Sequence, residues 1–392
     1  MMSSPATKKR KVEPRQVVKR EWTLREVADL IQKSKRIVVL AGAGISVSSG
    51  VPDFRSANGI YKMVEDLECC ESLPDPQCIF DIEYFLDDPK PFYEVARKIL
   101  FSSTGASPLP SKAHAFIASL EREKRLLRVY TQNIDGLEFA AGVSKNSLRY
   151  CHGSMERARC VSKSCKSKKL TRSQLEAALK VEDIPSCARC GGTIKPDITF
   201  FGEKLVDNIG KTLTGDKQKV DLLIVMGTSL QVSPMDTILQ YFPSDVPQIL
   251  INKTHVQPRK TVSEGFDIEL LGNADAIVEA VEQLISGEGT FEAKDAQLGH
   301  QFAPNIFLFE GADENSVRDS MNKHGGGDVY VYPPPAITCD GCGKGIDNME
   351  GGLMCNTCFG LDTCSLCSSF RSKHLNTHPT HKFVLIKEEV GV

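Results

Sequence analysis

Apolar and polar positions follow two rhythms along this chain. Leu24, Val27, Leu30 and Ile31 recur at helical spacing, and Thr23 with Glu26 makes a capping box, so the pattern predicts a helix from Thr23 to about Ser34. Short continuous apolar runs follow at residues 37–40, 126–131, 220–226 and 246–251. Runs of this kind, separated by helical or turn-like sequence, read as strands buried on both faces. They predict an α/β fold, a Rossmann-like parallel sheet covered by helices. A final helix is expected at 275–285, with Ile277, Val278, Val281, Leu284 and Ile285 as its buried stripe. After Gly287 the periodicity fades. Residues 288–335 hold an apolar patch at 302–309, then Gly325-Gly326-Gly327 and Pro333-Pro334-Pro335, and read as a linker.

Each predicted strand ends in polar sequence: Gly42-Ala43-Gly44, Gln132-Asn133-Ile134-Asp135, Gly227-Thr228-Ser229, and Asn252. Ligands of open parallel sheets bind at the carboxyl ends of the strands, so these four ends are expected to make one site. A strand running into Gly-x-Gly begins a dinucleotide fold. The third glycine position is nevertheless Val47, which departs from a dehydrogenase. His152, in Cys151-His152-Gly153-Ser154, has the one side chain here able to exchange a proton near neutral pH. By itself a lone histidine is more often a packed or surface residue than a base.

Charge narrows the classes. The 392 residues carry 48 basic and 50 acidic side chains, which excludes binding nucleic acid through the whole surface and leaves no expectation of sequence-specific nucleic-acid recognition. No apolar run approaches the roughly 20 residues of a membrane span, and no secretory signal opens the chain, so a soluble intracellular protein without membrane contact is expected. Residues 1–20 are predicted to be a disordered basic tail. Their run Lys8-Lys9-Arg10-Lys11 is a nuclear-import candidate, with a solvated tail and a cytoplasmic location as the alternative.

Fourteen cysteines in such a chain point to metal. Cys160 and Cys165 are followed, after 21 residues, by the Cys187-x-x-Cys190 pair and Gly191-Gly192. Four thiolates make a closed, structural zinc site, which would staple a small insertion at about 155–195. The tail offers Cys339/Cys342, Cys355/Cys358, Cys364/Cys367 and His378/His381, enough ligands for two further zinc ions. A module of this size, 336–388, needs metal to fold. Cys69, Cys70, Cys78 and Cys151 are left over and read as small buried apolar residues.

Residues 23–285 resemble a sirtuin, an NAD-dependent protein-lysine deacetylase of the acetyl-preferring type. The resemblance rests on Gly42-Ala43-Gly44-Ile45-Ser46, Pro52-Asp53-Phe54-Arg55-Ser56, Thr131-Gln132-Asn133-Ile134-Asp135, His152-Gly153-Ser154, the four cysteines, Lys195 to Glu203, Gly227-Thr228-Ser229-Leu230 and Ile251-Asn252-Lys253. It implies that NAD is consumed as a co-substrate. Gly42, Ala43, Gly44 and Ser46 would face phosphate and ribose; Asp53, Phe54 and Arg55 would lie in a cofactor loop. Gln132 and Asn133 would meet the nicotinamide ribose, Asp135 and the Ile134 backbone the carboxamide, and Gly227, Thr228, Ser229 and Asn252 the phosphate and adenosine ribose. His152 would be the base, with Asn133 and Asp135 completing the catalytic set. Ile198, Phe200, Phe201 and Gly202 would line the acyl-lysine tunnel, where Thr199 replaces the valine of many acetyl-preferring relatives. The loop Ala57-Asn58-Gly59-Ile60-Tyr61-Lys62 is close to the acetyl-preferring pattern, so acetyl-lysine is the expected substrate, with histone tails as the protein class. A mono-ADP-ribosyltransferase and a non-enzymatic chromatin scaffold are the alternatives.

The tail resembles a ZZ-type zinc finger through Ile337-Thr338-Cys339-Asp340-Gly341-Cys342, the later Cys-x-x-Cys pairs and His378-Pro379-Thr380-His381. That implies a cross-brace, with Cys339, Cys342, Cys364 and Cys367 on one ion and Cys355, Cys358, His378 and His381 on the other. It also implies a peptide or protein ligand for the finger. Met354 departs from the charged or polar residue usual before the third cysteine. The expected division is a tail at 1–20, a catalytic domain at 21–287, a linker at 288–335 and the finger at 336–388.

Overall fold

The computed structural model describes residues 20–68, 73–101, 106–162, 164–203, 208–232, 235–258, 265–287 and 299–324, residues 15, 17 and 263, and short strands after residue 336. It separates into two units, Met1–Val329 and Tyr330–Val392. The basic run at 8–11, Cys69 and Cys70, and the glycine and proline runs lie outside the described residues.

The first unit is organised by one sheet. Its strands are β1 (Ile37–Ala41), β2 (Leu126–Thr131) and β3 (Leu148–Tyr150) on one side, then β7 (Leu222–Met226), β8 (Gln248–Asn252) and β9 (Ile268–Leu271) on the other. The smaller β4 (Gly153–Cys160), β5 (Leu170–Thr171) and β6 (Ile194–Ile198) form a separate antiparallel sheet between them in sequence. The main sheet adds β10 (His300–Ala303) and β11 (Ile306–Leu308), in the order β10-β11-β9-β8-β7-β1-β2-β3. From β3 to β9 the neighbours are parallel.

All four predicted strands are present within a residue or two at each end. The predicted helices appear as Leu24–Lys33, with the Thr23–Glu26 capping box formed, and Ala274–Ser286. Both helices bury aliphatic stripes against the sheet: Val27, Ile31, Ile277, Val278 and Val281 share one core with Ile37, Val39, Ile224 and Ile249. Strands buried on both faces have no alternating pattern, which is why their apolar runs are continuous.

Two expectations are corrected. The patch at 302–309 belongs to the sheet: β11 pairs in parallel with β9, and Phe307 and Phe309 enter the main core. Without β11 the outer edge of β9 would present unpaired backbone groups. A helix, Glu314–His324, follows, so the range 288–335 is not linker throughout. At the other end, Arg15 is buried and ion-paired with Asp267, which itself is 1% exposed. A buried carboxylate requires such a partner, and this fixes a residue within the segment expected to be disordered.

The second core was not anticipated. The insertion shares it with helices Ile60–Glu65, Ile82–Asp87 and Lys90–Leu100: Met155, Ala158, Leu175 and Ile194 pack with Ile60, Phe85, Phe92 and Tyr93. The small module is thus wider than 155–195. Among the described residues no helix is long and apolar enough to cross a membrane.

In the second unit, β12 (Ile337–Thr338) pairs with β13 (Gly345–Ile346), and β14 (Gly352–Cys355) sits between β15 (Asp362–Cys364) and β16 (Phe383–Leu385), all antiparallel. Cys355 and Cys364 lie at strand ends. Cys339, Cys342, Cys358, Cys367, His378 and His381 lie outside the described residues.

Candidate active site at the carboxyl ends of the sheet

The chain runs from β1 outward through β2 to β3, then returns and runs outward through β7 to β9. This reversal makes a switch point between β1 and β7, where a crevice opens at the carboxyl ends of an open sheet. Gly42 and Gly44 leave β1 there and meet Gly227 leaving β7. Gly44 N donates to Gly227 O at 2.9 Å. A Cβ on Gly44 would lie 2.7 Å from Gly227 Cα, and one on Gly227, whose φ is +60°, would lie 2.6 Å from Ile45 N. Backbone meets backbone at these glycines, so any side chain would close the crevice.

The end of β2 completes the floor. Gln132 Nε2 donates to Thr228 Oγ1 at 2.6 Å, linking the ends of β2 and β7. Asn133 Nδ2 donates to Gly42 O at 3.2 Å and to Ser46 Oγ at 3.3 Å, while its Oδ1 is buried with no partner. Asp135 accepts from Ser46 Oγ at 2.8 Å and from Leu137 N at 2.9 Å. Ser46, Asn133 and Asp135 are all buried. Three of the four predicted strand ends therefore meet through hydrogen bonds. Asn252 stands at the end of the adjacent β8 and turns its amide to Thr254 O at 2.9 Å.

His152 follows β3 and is half-buried. Its Nδ1 lies 3.3 Å from Gln132 O. A carbonyl only accepts, so Nδ1 carries the proton and Nε2 is the basic nitrogen of the neutral ring. Gly153, at φ +73°, brings β4 so close to β6 that a Cβ would lie 2.1 Å from Asp197 O. Thr199 N donates to His152 O at 2.7 Å, so the segment after β6 is tied to the histidine. Cys151 beside it is buried, and burial pushes its thiol up to about 12, so it is inert as a nucleophile. Cys78 is only half-buried.

The loop from Val47 to Tyr61, which follows Ser46, is braced by its own hydrogen bonds. Asp53 Oδ1 accepts from Arg55 N at 3.0 Å and Ser56 N at 2.8 Å, and Tyr61 N donates to Phe54 O at 3.1 Å. Phe54 rests on Tyr61 and Phe80, with ring centroids 5.9 and 5.8 Å away, and Arg55 is exposed.

The expected tunnel residues divide. Phe201 is 46% exposed and available to a ligand, and Gly202 stands beside it on the surface. Phe200 is 1% exposed and packs in an aromatic cluster, with Phe85 and Phe92 at 5.0 and 5.1 Å. Ile198 is buried on the same side. Sequence reasoning gave no role to Lys195, which is 2% exposed. Its Nζ donates to Glu203 Oε2 and Ile198 O, both at 2.8 Å, and lies 4.2 Å from the Phe200 ring centroid. Glu203 also accepts from Phe200 N at 2.9 Å, so the pair cross-ties the segment.

Behind the floor lies a second group that was missed, His114 and Glu138. His114 Nε2 is 3.5 Å from Ser46 Oγ, and burial holds its ring below the ordinary imidazole value despite Asp135 and Asp275. Glu138 is fully buried, and burial, with the charge of Asp135, pushes its carboxyl up to about 8. Neither has a motif of its own, since each looks like a polar residue on a helix.

The cysteines fit zinc. Sγ atoms of Cys160, Cys165, Cys187 and Cys190 all lie within 4.8 Å of one another, with Cys160–Cys190 at 3.5 Å and Cys165–Cys187 at 3.8 Å. A tetrahedral ion bonded at about 2.3 Å sets its sulfurs about 3.8 Å apart. The glycine cradle at the switch point and the unpaired Asn133 Oδ1 likewise fit a polar, phosphate-bearing ligand such as a dinucleotide.

A family model described as the Sir2 family matches residues 42–234. The chain is 42% identical over 272 residues to the NAD-dependent protein deacetylase sirtuin-1 of Homo sapiens, a match covering 68% of this chain and 34% of that protein. It is 37% identical over 298 residues to the NAD-dependent histone deacetylase SIR2 of Candida glabrata, covering 67% of this chain and 55% of that one. The match to sirtuin-1 of Rattus norvegicus, 42% identical, covers 46% of its length, so the chain spans about half or less of these curated relatives. A solved Sir2 structure with deacetylated p53 peptide and 3'-O-acetyl-ADP-ribose is similar at a TM-score of 0.54 and 30% identity, covering 68% of this chain and 99% of that one.

Proposed function

The chain belongs to the Sir2 family, and from that premise we propose that it is an NAD-dependent protein-lysine deacetylase acting on acetylated protein tails, histones among them. The observation that carries this reading is the meeting of Gly42, Gly44, Gly227, Gln132, Asn133 and Asp135 at one switch point, with His152 tethered beside them.

NAD supplies an electrophilic anomeric carbon and a ribose that accepts the acetyl group. The chain's own residues do the rest. Gly42, Ala43 and Gly44 let phosphate approach the backbone, with Gly227, Thr228, Ser229 and Asn252 as the opposite wall. Asp135 and the Ile134 backbone orient the carboxamide, and Asn133 and Gln132 orient the ribose. His152 Nε2 takes the proton of a ribose hydroxyl, and Phe54 keeps water from the reacting carbon. Phe201 and Gly202, beside Thr199, receive the acyl-lysine, and Asp53 and Arg55 brace the loop above. The acetyl oxygen of the lysine displaces nicotinamide at the anomeric carbon, the deprotonated ribose hydroxyl takes the acetyl carbon, and one water completes the release of lysine and O-acetyl-ADP-ribose. One zinc on Cys160, Cys165, Cys187 and Cys190 holds the small module. The tail unit is read as a ZZ-type finger with two zinc ions and a peptide ligand, and the basic run at 8–11 as a nuclear address.

Mass spectrometry of a reaction with NAD and an acetylated histone-tail peptide tests the reading. O-acetyl-ADP-ribose is expected in step with deacetylation. The His152→Ala variant is expected to keep zinc and fold while losing turnover; near-full activity would remove His152 as the base. ADP-ribose on protein without deacetylation would favour a transferase instead.

A further inference from the structure

The proposed reaction gives no role to the outer surface of the zinc-binding module, and that surface is basic in a chain that is not. From Arg157 to Arg172 the sequence reads RARCVSKSCKSKKLTR, with seven basic residues and no acidic one, against 48 basic and 50 acidic in the whole chain. The fold turns these cations outward. Arg157 and Arg159 are exposed on β4 on either side of buried Ala158, which packs in the second core, so both project from the face of the small sheet that this core does not cover. Lys166, Lys168 and Lys169 are exposed on the loop leading into β5, whose Thr171 pairs with Arg157. Arg189, from the second cysteine pair, donates to Lys166 O at 3.3 Å, which joins the two zinc-ligand loops. The cations therefore form one continuous stripe.

Little acid faces the stripe. Arg159 and Lys169 share the Asp197 carboxylate at 3.4 and 2.7 Å, with both cationic side chains about half exposed. Arg159 also lies 3.9 Å from Glu203, which Lys195 already holds. Among the described residues Arg157, Lys166 and Lys168 take part in no ion pair. Four thiolates on one zinc carry two net negative charges, fewer than the cations around them. Exposed pairs of this kind hold weakly and exchange readily for phosphate. Between the cations the exposed positions are the hydroxyl residues Ser164 and Thr171, while Val161 and Leu170 are turned to the second core, and no aromatic residue occurs from 157 to 172. A protein interface is built around an apolar centre, and single-stranded nucleic acid needs rings to stack on. The backbone of a duplex asks only for a polar, positive surface.

We propose that this stripe on the zinc module, Arg157, Arg159, Lys166, Lys168, Lys169 and Arg189, binds the phosphate backbone of duplex DNA without reading its sequence. Lysine and arginine on phosphates position a protein on the duplex and carry no base information. Held there, the catalytic domain meets acetylated tails that lie on DNA at a raised effective concentration. That consequence rests on the deacetylase reading; the binding itself does not.

Fluorescence anisotropy of a short labelled duplex, titrated with the full chain across a salt series, tests the proposal. Affinity is expected to be alike for unrelated sequences and to fall steeply with salt. Lys166→Gln/Lys168→Gln/Lys169→Gln removes three phosphate contacts, so the slope of log K against log salt should become shallower by about 2.7, at about 0.9 per contact, and affinity at low salt should fall with it. Deacetylation of a free acetylated peptide should stay as in the wild type, which separates lost DNA binding from lost activity. The basic run at 8–11 is a second source of charge, so Lys8→Gln/Lys9→Gln/Lys11→Gln is measured alongside and should leave the module's share of the slope in place. An unchanged slope in the module variant, with binding lost in the tail variant, overturns the proposal. So does equal affinity at matched salt for polyglutamate or for vesicles rich in phosphatidylserine, which would make the stripe a docking surface for acidic protein or membrane. Should the module variant lose its zinc, amine-reactive labelling of the wild type decides: DNA is expected to protect Lys166, Lys168 and Lys169, and undiminished labelling of all three overturns the proposal.

Discussion

Lys195→Met tests how the substrate-facing segment is held. The ammonium is 3% exposed at its side chain, donates to Glu203 Oε2 and Ile198 O at 2.8 Å, and lies over the Phe200 ring. Removing one partner of a buried ion pair costs about 3–5 kcal/mol, because the other charge is left without compensation. Here Glu203 is 22% exposed and keeps the Phe200 N–H, so it is not wholly stranded. Methionine also preserves the apolar stem against Phe200. The lower end applies, about 3 kcal/mol, which at about 2 °C per kcal/mol for a domain of this size lowers Tm by about 6 °C. The double variant Lys195→Met/Glu203→Gln removes both charges and should recover at least about half of the loss, since a neutral amide can still accept from Phe200 N. The assay is thermal unfolding followed by circular dichroism, with zinc content checked for each variant. A single variant as stable as the wild type, or a double variant with additive loss, would refute the argument that the pair acts as a unit. Weaker binding of the acetylated peptide should accompany the single change, because Ile198 and Phe200 bracket Thr199, which is bonded to His152.

Two further outcomes follow from the same geometry. Stripping the Cys160/Cys165/Cys187/Cys190 site with a chelator, or replacing Cys187 with Ser, should release one zinc from the catalytic domain and loosen the core shared with Phe85 and Phe92; metal analysis and protection of those segments from hydrogen exchange read this directly. Gly227→Ala places a methyl 2.6 Å from Ile45 N at a φ of +60°, where only backbone can yield. Left-handed strain of about 1–2 kcal/mol plus overpacking of about 1–3 kcal/mol should cost about 2–5 kcal/mol in denaturant titration and weaken NAD binding, whereas unchanged affinity would mean the crevice is not where the dinucleotide lies.

Much of the site was legible because its chemistry is local. Glycines at a strand end, a histidine after another strand and cysteines at ligand spacing are properties of short stretches, and they survive without knowledge of packing. The central strands were legible for a related reason: a segment buried on both faces must be apolar throughout. The three-residue β3 and β11 are too short to show a period, and β9 offers only four residues. Their pairing is decided by the edge each one covers.

What the sequence by itself determined, then, is the identity of the groups at the strand ends and the α/β plan that brings strand ends to one side of a sheet. Only the tertiary structure decided which of those groups are dry and which have partners. Phe200 and Phe201 are adjacent and alike in sequence, yet one is core and the other open, because the segment after β6 turns between an aromatic cluster and solvent. Glu138 looks like any carboxylate until the fold buries it completely beside Asp135 and His114. Burial and the sum of neighbouring charges are properties of the assembled volume, and the proton on a side chain follows from both.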